Sequence, residues 1–172
     1  RAMYEGKDGN SGTIVGNSAG QYLQGIDVTF IGREAGRFAT GSYNTFVGAN
    51  AGKGPSSAPY ASGNYNTVMG YNALAAFTTG HSNIAIGYQA MSAATTAHDS
   101  IAIGYQALQY GGQDNNIAIG YQAGQNITSA RYNVIIGDSA GNALTTSDTN
   151  ENVFIGNSAG RNADADTNAA HY

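Results

Sequence analysis

The stretch Asn83-Ile84-Ala85-Ile86-Gly87-Tyr88-Gln89-Ala90 decides the fold, because the chain repeats it. Ile84 to Ala90 returns unchanged as Ile101 to Ala107 and as Ile117 to Ala123. Looser copies surround these, each pivoting on one glycine: Gly16, Gly32, Gly48, Gly70, Gly87, Gly104, Gly120, Gly137 and Gly156. The spacings are 16, 16, 22, 17, 17, 16, 17 and 19 residues, spanning 140 positions of a 172-residue chain. A unit this short cannot bury an apolar face by itself, so its copies must stack on one another.

Counted from the pivot glycine, position −1 is always large and apolar (Val15, Ile31, Val47, Met69, Ile86, Ile103, Ile119, Ile136, Ile155). Position −3 is always β-branched, from Thr13 and Thr29 through Ile84 and Ile101 to Val153. In a strand these two positions share a face, and the reading places the core there. Position −2 points the other way and is also apolar: Ile14, Phe30, Phe46, Val68, Ala85, Ala102, Ala118, Ile135 and Phe154. A strand apolar on both sides is buried on both sides. The −2 column is therefore expected to be an interchain interface, with a covering loop of the same chain as the alternative.

The remaining columns describe corners. The invariant glycine suits a turn with positive φ, and an invariant Ala at +3 suits a small inward side chain. Position −4 is Asn in six units (Asn44, Asn66, Asn83, Asn116, Asn133, Asn152), a column expected to hydrogen-bond from coil to coil. The fold expected is all-β, a parallel β-roll or β-solenoid of about nine short coils, on the order of 40 Å long. Its bounds are residues 12–160, with an insertion at 53–65 that holds both prolines; 1–11 is an extension and 161–172 a tail or connection.

Composition narrows the function. Only 10% of residues are charged and the net charge is −4, with seven Lys plus Arg scattered along the chain, so nucleic acid is not an expected partner. No apolar run reaches the roughly 20 residues of a membrane-spanning helix, so no direct membrane insertion is expected. The absence of Cys removes disulfides and thiolate metal sites.

Two phrases carry a family likeness. Asn83 to Gly87 and Asn116 to Gly120 resemble the head repeats of trimeric autotransporter adhesins of the YadA type. Thr45-Phe46-Val47-Gly48-Ala49-Asn50-Ala51-Gly52 and Val153 to Gly160 resemble arrays in bacterial surface and phage tail-fibre proteins, which often precede a self-cleaving chaperone. The resemblance covers about residues 12–160 and implies a left-handed β-roll with three chains around one axis. It departs in one column: the adhesin heads carry a serine linked to collagen binding where this chain has Ala, so collagen binding is not carried over.

Chemistry is sparse. The hexad Ile86 to Met91 fits the left-handed solenoid acyltransferases, but the following hexads do not. His81 and His98 both sit at −6, in a column otherwise holding Asn10, Ile26, Ser42, Asn64, Asp114, Arg131 and Asn150, nearly all turn residues. Asp99 with Asp114, or Asp148 with Glu151, are candidate carboxylate pairs for glycan hydrolysis, but neither recurs in a column. Asp164 and Asp166 lack a full calcium ligand pattern, and Asn126-Ile127-Thr128 is a lone glycosylation sequon. No catalytic residue, metal site or cofactor is expected.

One surface column stands out: Tyr71, Tyr88, Tyr105 and Tyr121 at +1, followed by Asn72, Gln89, Gln106 and Gln122 at +2. Stacked aromatics beside amides suit a sugar or protein surface, and ring stacking for stability alone is the competing reading. The function expected is a non-enzymatic segment of an extracellular homotrimeric fibre, on a cell surface or virion, a rigid spacer that contacts a host-surface glycan or protein. The alternatives are a phage tail-fibre shaft, a subunit stacking end to end into a filament and, last, a solenoid transferase or glycan hydrolase.

Overall fold

In the computed structural model, which describes residues 11–111, 114–142, 144 and 150–161, the repeat forms one parallel β-solenoid of about eight turns. Nine strands run β1 (Gly12–Val15), β2 (Val28–Ile31), β3 (Thr45–Val47), β4 (Thr67–Met69), β5 (Ile84–Ile86), β6 (Ile101–Ile103), β7 (Ile117–Ile119), β8 (Val134–Ile136) and β9 (Val153–Ile155). They pair in sequence order, and there is no helix among the described residues. Register follows the columns: Ile84 lies beside Ile101, Ala85 beside Ala102 and Ile86 beside Ile103. The 22-residue spacing between Gly48 and Gly70 leaves it intact, with Thr45 beside Thr67 and Val47 beside Met69.

That extra length is absorbed outside the coil. Ser56 to Pro59 stand exposed, and the chain returns through Tyr60, whose ring packs 5.0 Å from Tyr22 and 5.8 Å from Phe38. A parallel bridge between Ala39 and Ala61 closes the loop.

Every strand ends at its pivot glycine. Gly87 has φ +133°, strained for any side chain, and a Cβ there would strike the carbonyl oxygen of Gly104 on the next coil. Beyond the corner, Gln89 and Met91 adopt left-handed φ values of 55° and 53°, and Ser82 just before the strand has 57°. These bends, each costing about 1 kcal/mol or more for a non-glycine residue, bring the chain round so that its far side also stacks. Met91 N–H donates to the Ala107 carbonyl at 3.0 Å and Ala93 N–H to that of Gln109 at 2.9 Å.

The winding corrects the expected placement of the two strand faces. Phe30, Phe46, Val68, Ala85, Ala102, Ala118, Ile135 and Phe154 are buried inside the single chain, not at an interface between chains. The left-handed corners fold the far side of each coil over position −2, where Phe77, Ala94, Ile127, Ala130 and Leu144 complete the core. Positions −1 and −3, expected inside, face outward: Met69 is 50% exposed and Ile155 67%. Ala at the middle −2 positions therefore reflects packing within the solenoid; beside Ala118, where +4 is Gly124, the space is taken by Leu108, Ile127 and Ile135. Where −2 is Val68, Ala85 or Ala102, position +4 supplies buried Leu74, Met91 or Leu108. Where −2 is Phe30 or Phe46, position +4 is Gly36 or Gly52, and any Cβ there would run into the ring.

The Asn column forms a buried spine. Asn83 donates to Asn66 Oδ1 from its backbone N–H (3.0 Å) and from Nδ2 (3.1 Å). Its Nδ2 also reaches the Ala97 carbonyl at 2.7 Å, and its Oδ1 accepts from Ser100 N–H at 3.1 Å. Ser100 takes the Asn place in β6's coil, accepting from Asn116 N–H through Oγ at 3.2 Å. Buried backbone groups at the corner are thereby satisfied without water.

Candidate binding surface

The structure brings the expected tyrosines together. Ring centroids lie 5.6 Å apart for Tyr71 and Tyr88, 5.1 Å for Tyr88 and Tyr105, and 5.0 Å for Tyr105 and Tyr121, with interplanar angles of 16°, 6° and 10°. Each ring is about half exposed. The stacking consumes the faces of Tyr88 and Tyr105, so these rings offer edges and hydroxyls, not the open faces that a sugar would stack on.

Beside them runs an amide ladder. Gln106 Nε2 donates to Gln89 Oε1 at 2.9 Å, and Gln122 Nε2 to Gln106 Oε1 at 3.1 Å. Gln125 Nε2 joins from a neighbouring column, donating to Gln109 Oε1 at 2.7 Å and Gln106 Oε1 at 3.0 Å. Each amide is held by its neighbours, which fixes the strip's shape. A second, shorter aromatic ladder at −5, Tyr43 on Tyr65 at 4.9 Å, was not singled out by the sequence reading. Its signal was present, since both residues directly precede an Asn of the spine.

Between these ladders lies the outward strand face. Ile84, Ile101, Ile117 and Val134 line one column and Met69, Ile86, Ile103, Ile119 and Ile136 the other, all wholly or partly open to solvent on the single chain. Thr13, Thr29, Thr45 and Thr67 replace the branched apolar residues towards β1.

The histidines do meet. His81 and His98 stack with centroids 4.0 Å apart and planes 23° from parallel. His81 N–H donates to His98 Nδ1 at 3.2 Å and His98 N–H to Asp114 Oδ1 at 2.9 Å. The same link recurs where no His stands: Ser42 N–H to Asn64 Oδ1 and Arg131 N–H to Asn150 Oδ1, at 2.6 and 2.8 Å. The −6 column is thus a ladder of turn acceptors, and parallel rings do not converge their lone pairs on one ion. No group of three metal-ligating side chains occurs among the described residues. Asp148, Asp164 and Asp166 lie outside the described residues.

The salt bridges among the described residues all meet at Glu34. Glu34 is bound by Lys53 Nζ at 2.7 Å and Arg37 Nη1 at 3.2 Å, with Arg33 at 3.8 Å. The Lys53 hydrogen bond, aided by the three positive charges and opposed by desolvation, lowers the Glu34 carboxyl below its ordinary value. Residues 54–130, which carry the Tyr ladder, contain no Lys or Arg.

No protein-family model, no curated protein and no solved structure matches this chain.

Proposed function

We propose that the protein is a segment of an extracellular homotrimeric fibre, a stiff spacer whose Tyr71–Tyr121 ladder, with the glutamine amides beside it, acts as an adhesive surface. The observation that carries this reading is the outward strand face, whose −1 column is apolar in nine consecutive strands and whose −3 column is apolar from β5 to β9. At about 4.8 Å per strand and about 10 Å of width, it covers on the order of 400 Å². Contiguous apolar patches of that size on a soluble chain mark interaction surfaces. The partner that repeats the same column at the same pitch, including the Thr-to-Ile change along the rod, is another copy of this chain in parallel orientation.

Three chains around an axis along the rod give each chain two neighbours through one heterologous contact that closes on itself. Two outward columns per strand suit two neighbours, and the resemblance to trimeric adhesin heads points to the same number. The interface is then the −1 and −3 columns, with the −2 column inside each chain. The test is absolute mass by light scattering on the size-exclusion peak. A mass near three times 17.6 kDa is expected; a stable monomer overturns the reading.

A further inference from the structure

The Tyr ladder has three properties that together constrain a ligand. It is periodic: one hydroxyl-bearing ring per coil over four coils, with centroids spaced 5.0 to 5.6 Å along the rod. It is edge-on, since the faces of Tyr88 and Tyr105 are covered by their neighbours. It is uncharged, with no cation between Lys53 and Arg131 to pair a sulfate or carboxylate. The rigid amide ladder of Gln89, Gln106 and Gln122 runs parallel to it.

A compact terminal sugar fits none of this well, because no ring offers it an open face within the ladder. An extended β-1,4-linked chain does. Its sugars are all-equatorial and rise per residue by nearly the spacing between stacked strands, with successive sugars turned over by half a turn, so that their two hydroxyl-bearing edges alternate along each side of the track. We propose that the Tyr71–Tyr121 strip binds a neutral β-1,4-linked polysaccharide, of the glucan or chitin type, lying along the solenoid axis with one sugar per coil. Tyrosine hydroxyls and ring edges line one side of this track and the glutamine amides the other. The inference rests on reading the protein as an adhesive fibre segment, and it names that surface's ligand class.

The commensurate spacing sets the test. Protein from a size-exclusion peak of known mass is titrated with cello- and chito-oligosaccharides of increasing length. Affinity should rise about tenfold or more between two and four sugars and level off once the four tyrosines are spanned. The double variant Tyr88→Phe/Tyr105→Phe keeps the stacked rings and removes two hydroxyls; it should lose roughly tenfold or more in affinity for the four-sugar ligands. Tyr43→Phe/Tyr65→Phe, on the other ladder, should bind as the parent does. The cello and chito series separate a glucan from an acetamido-sugar ligand.

Affinity independent of length, an equal loss in the Tyr43/Tyr65 variant, or tighter binding of a uronate chain of the same linkage would each overturn the proposal. A trimer that binds neither series also overturns it and leaves the fibre reading standing. A monomer that binds with the stated length dependence does the reverse.

Discussion

Phe46 and Gly52, six positions apart in one coil, compete for a single volume: a Cβ on Gly52 would fall 2.5 Å from ring carbons of Phe46. The ring is fully buried and stacks 4.8 Å from Phe30, so the glycine is required by its neighbour and not by its φ of 53°, which Met91 shares at the same position of its coil. Phe46→Ala should cost about 3–5 kcal/mol, as large-to-small changes in closed cores do. Adding Gly52→Leu, which copies the Ala102/Leu108 arrangement, should recover a substantial part of that loss in chemical denaturation. A double variant no more stable than Phe46→Ala would show that the two columns do not exchange volume.

Inward and outward strand positions can be told apart by charge. Ala102→Glu places a carboxylate in the core without a partner and should prevent folding. Ile103→Glu, one residue on and facing outward, should leave the β-sheet circular dichroism intact and reduce the mass in solution to that of one chain. The opposite pattern would restore the −2 column as the interchain face.

The spine is sensitive to the loss of a single side chain. Asn83→Ala strips the acceptor from Ser100 N–H and the donor from the Ala97 carbonyl, both at the closed corner. Each buried group left unpaired costs about 1–3 kcal/mol, and the melting temperature should fall accordingly. Ser100→Asn restores the consensus of the column and should raise it, by about 1 kcal/mol of stability; a fall instead would show that the coil has adapted to serine.

Acid should act through Glu34. Its folded carboxyl sits below the ordinary value of about 4.3, first because of the Lys53 hydrogen bond. A group with a depressed folded value contributes stability above its unfolded value and loses that contribution as pH falls through the folded one. Glu34→Gln should therefore melt lower than the parent at pH 7, with the difference shrinking below about pH 4.3 and vanishing once the parent carboxyl is protonated. A gap that persists in strong acid would assign the effect to packing.

The sequence by itself determined a good deal. Nine pivots at near-constant spacing require stacked coils, and the register of β5 on β6 is the alignment of Ile84-Ala85-Ile86 with Ile101-Ala102-Ile103. The Asn spine and the Tyr71–Tyr121 stack were legible too, because residues in one column of a solenoid must meet. The sealing of the Tyr faces was not, since ring tilt depends on coil pitch and neighbouring side chains.

What only the tertiary structure decided is which apolar face of the strand is inside. Alternation along a strand separates two faces without saying which is enclosed, and here both are apolar. The choice lies in the left-handed corners at Ser82, Gln89 and Met91, whose residue types do not announce that geometry. One trace of it was in the sequence: Phe at −2 goes with Gly at +4, and Ala85 and Ala102 with Met91 and Leu108. Two columns that trade volume must share one closed space. That reciprocity places −2 in the core and leaves the uniformly apolar −1 column facing out.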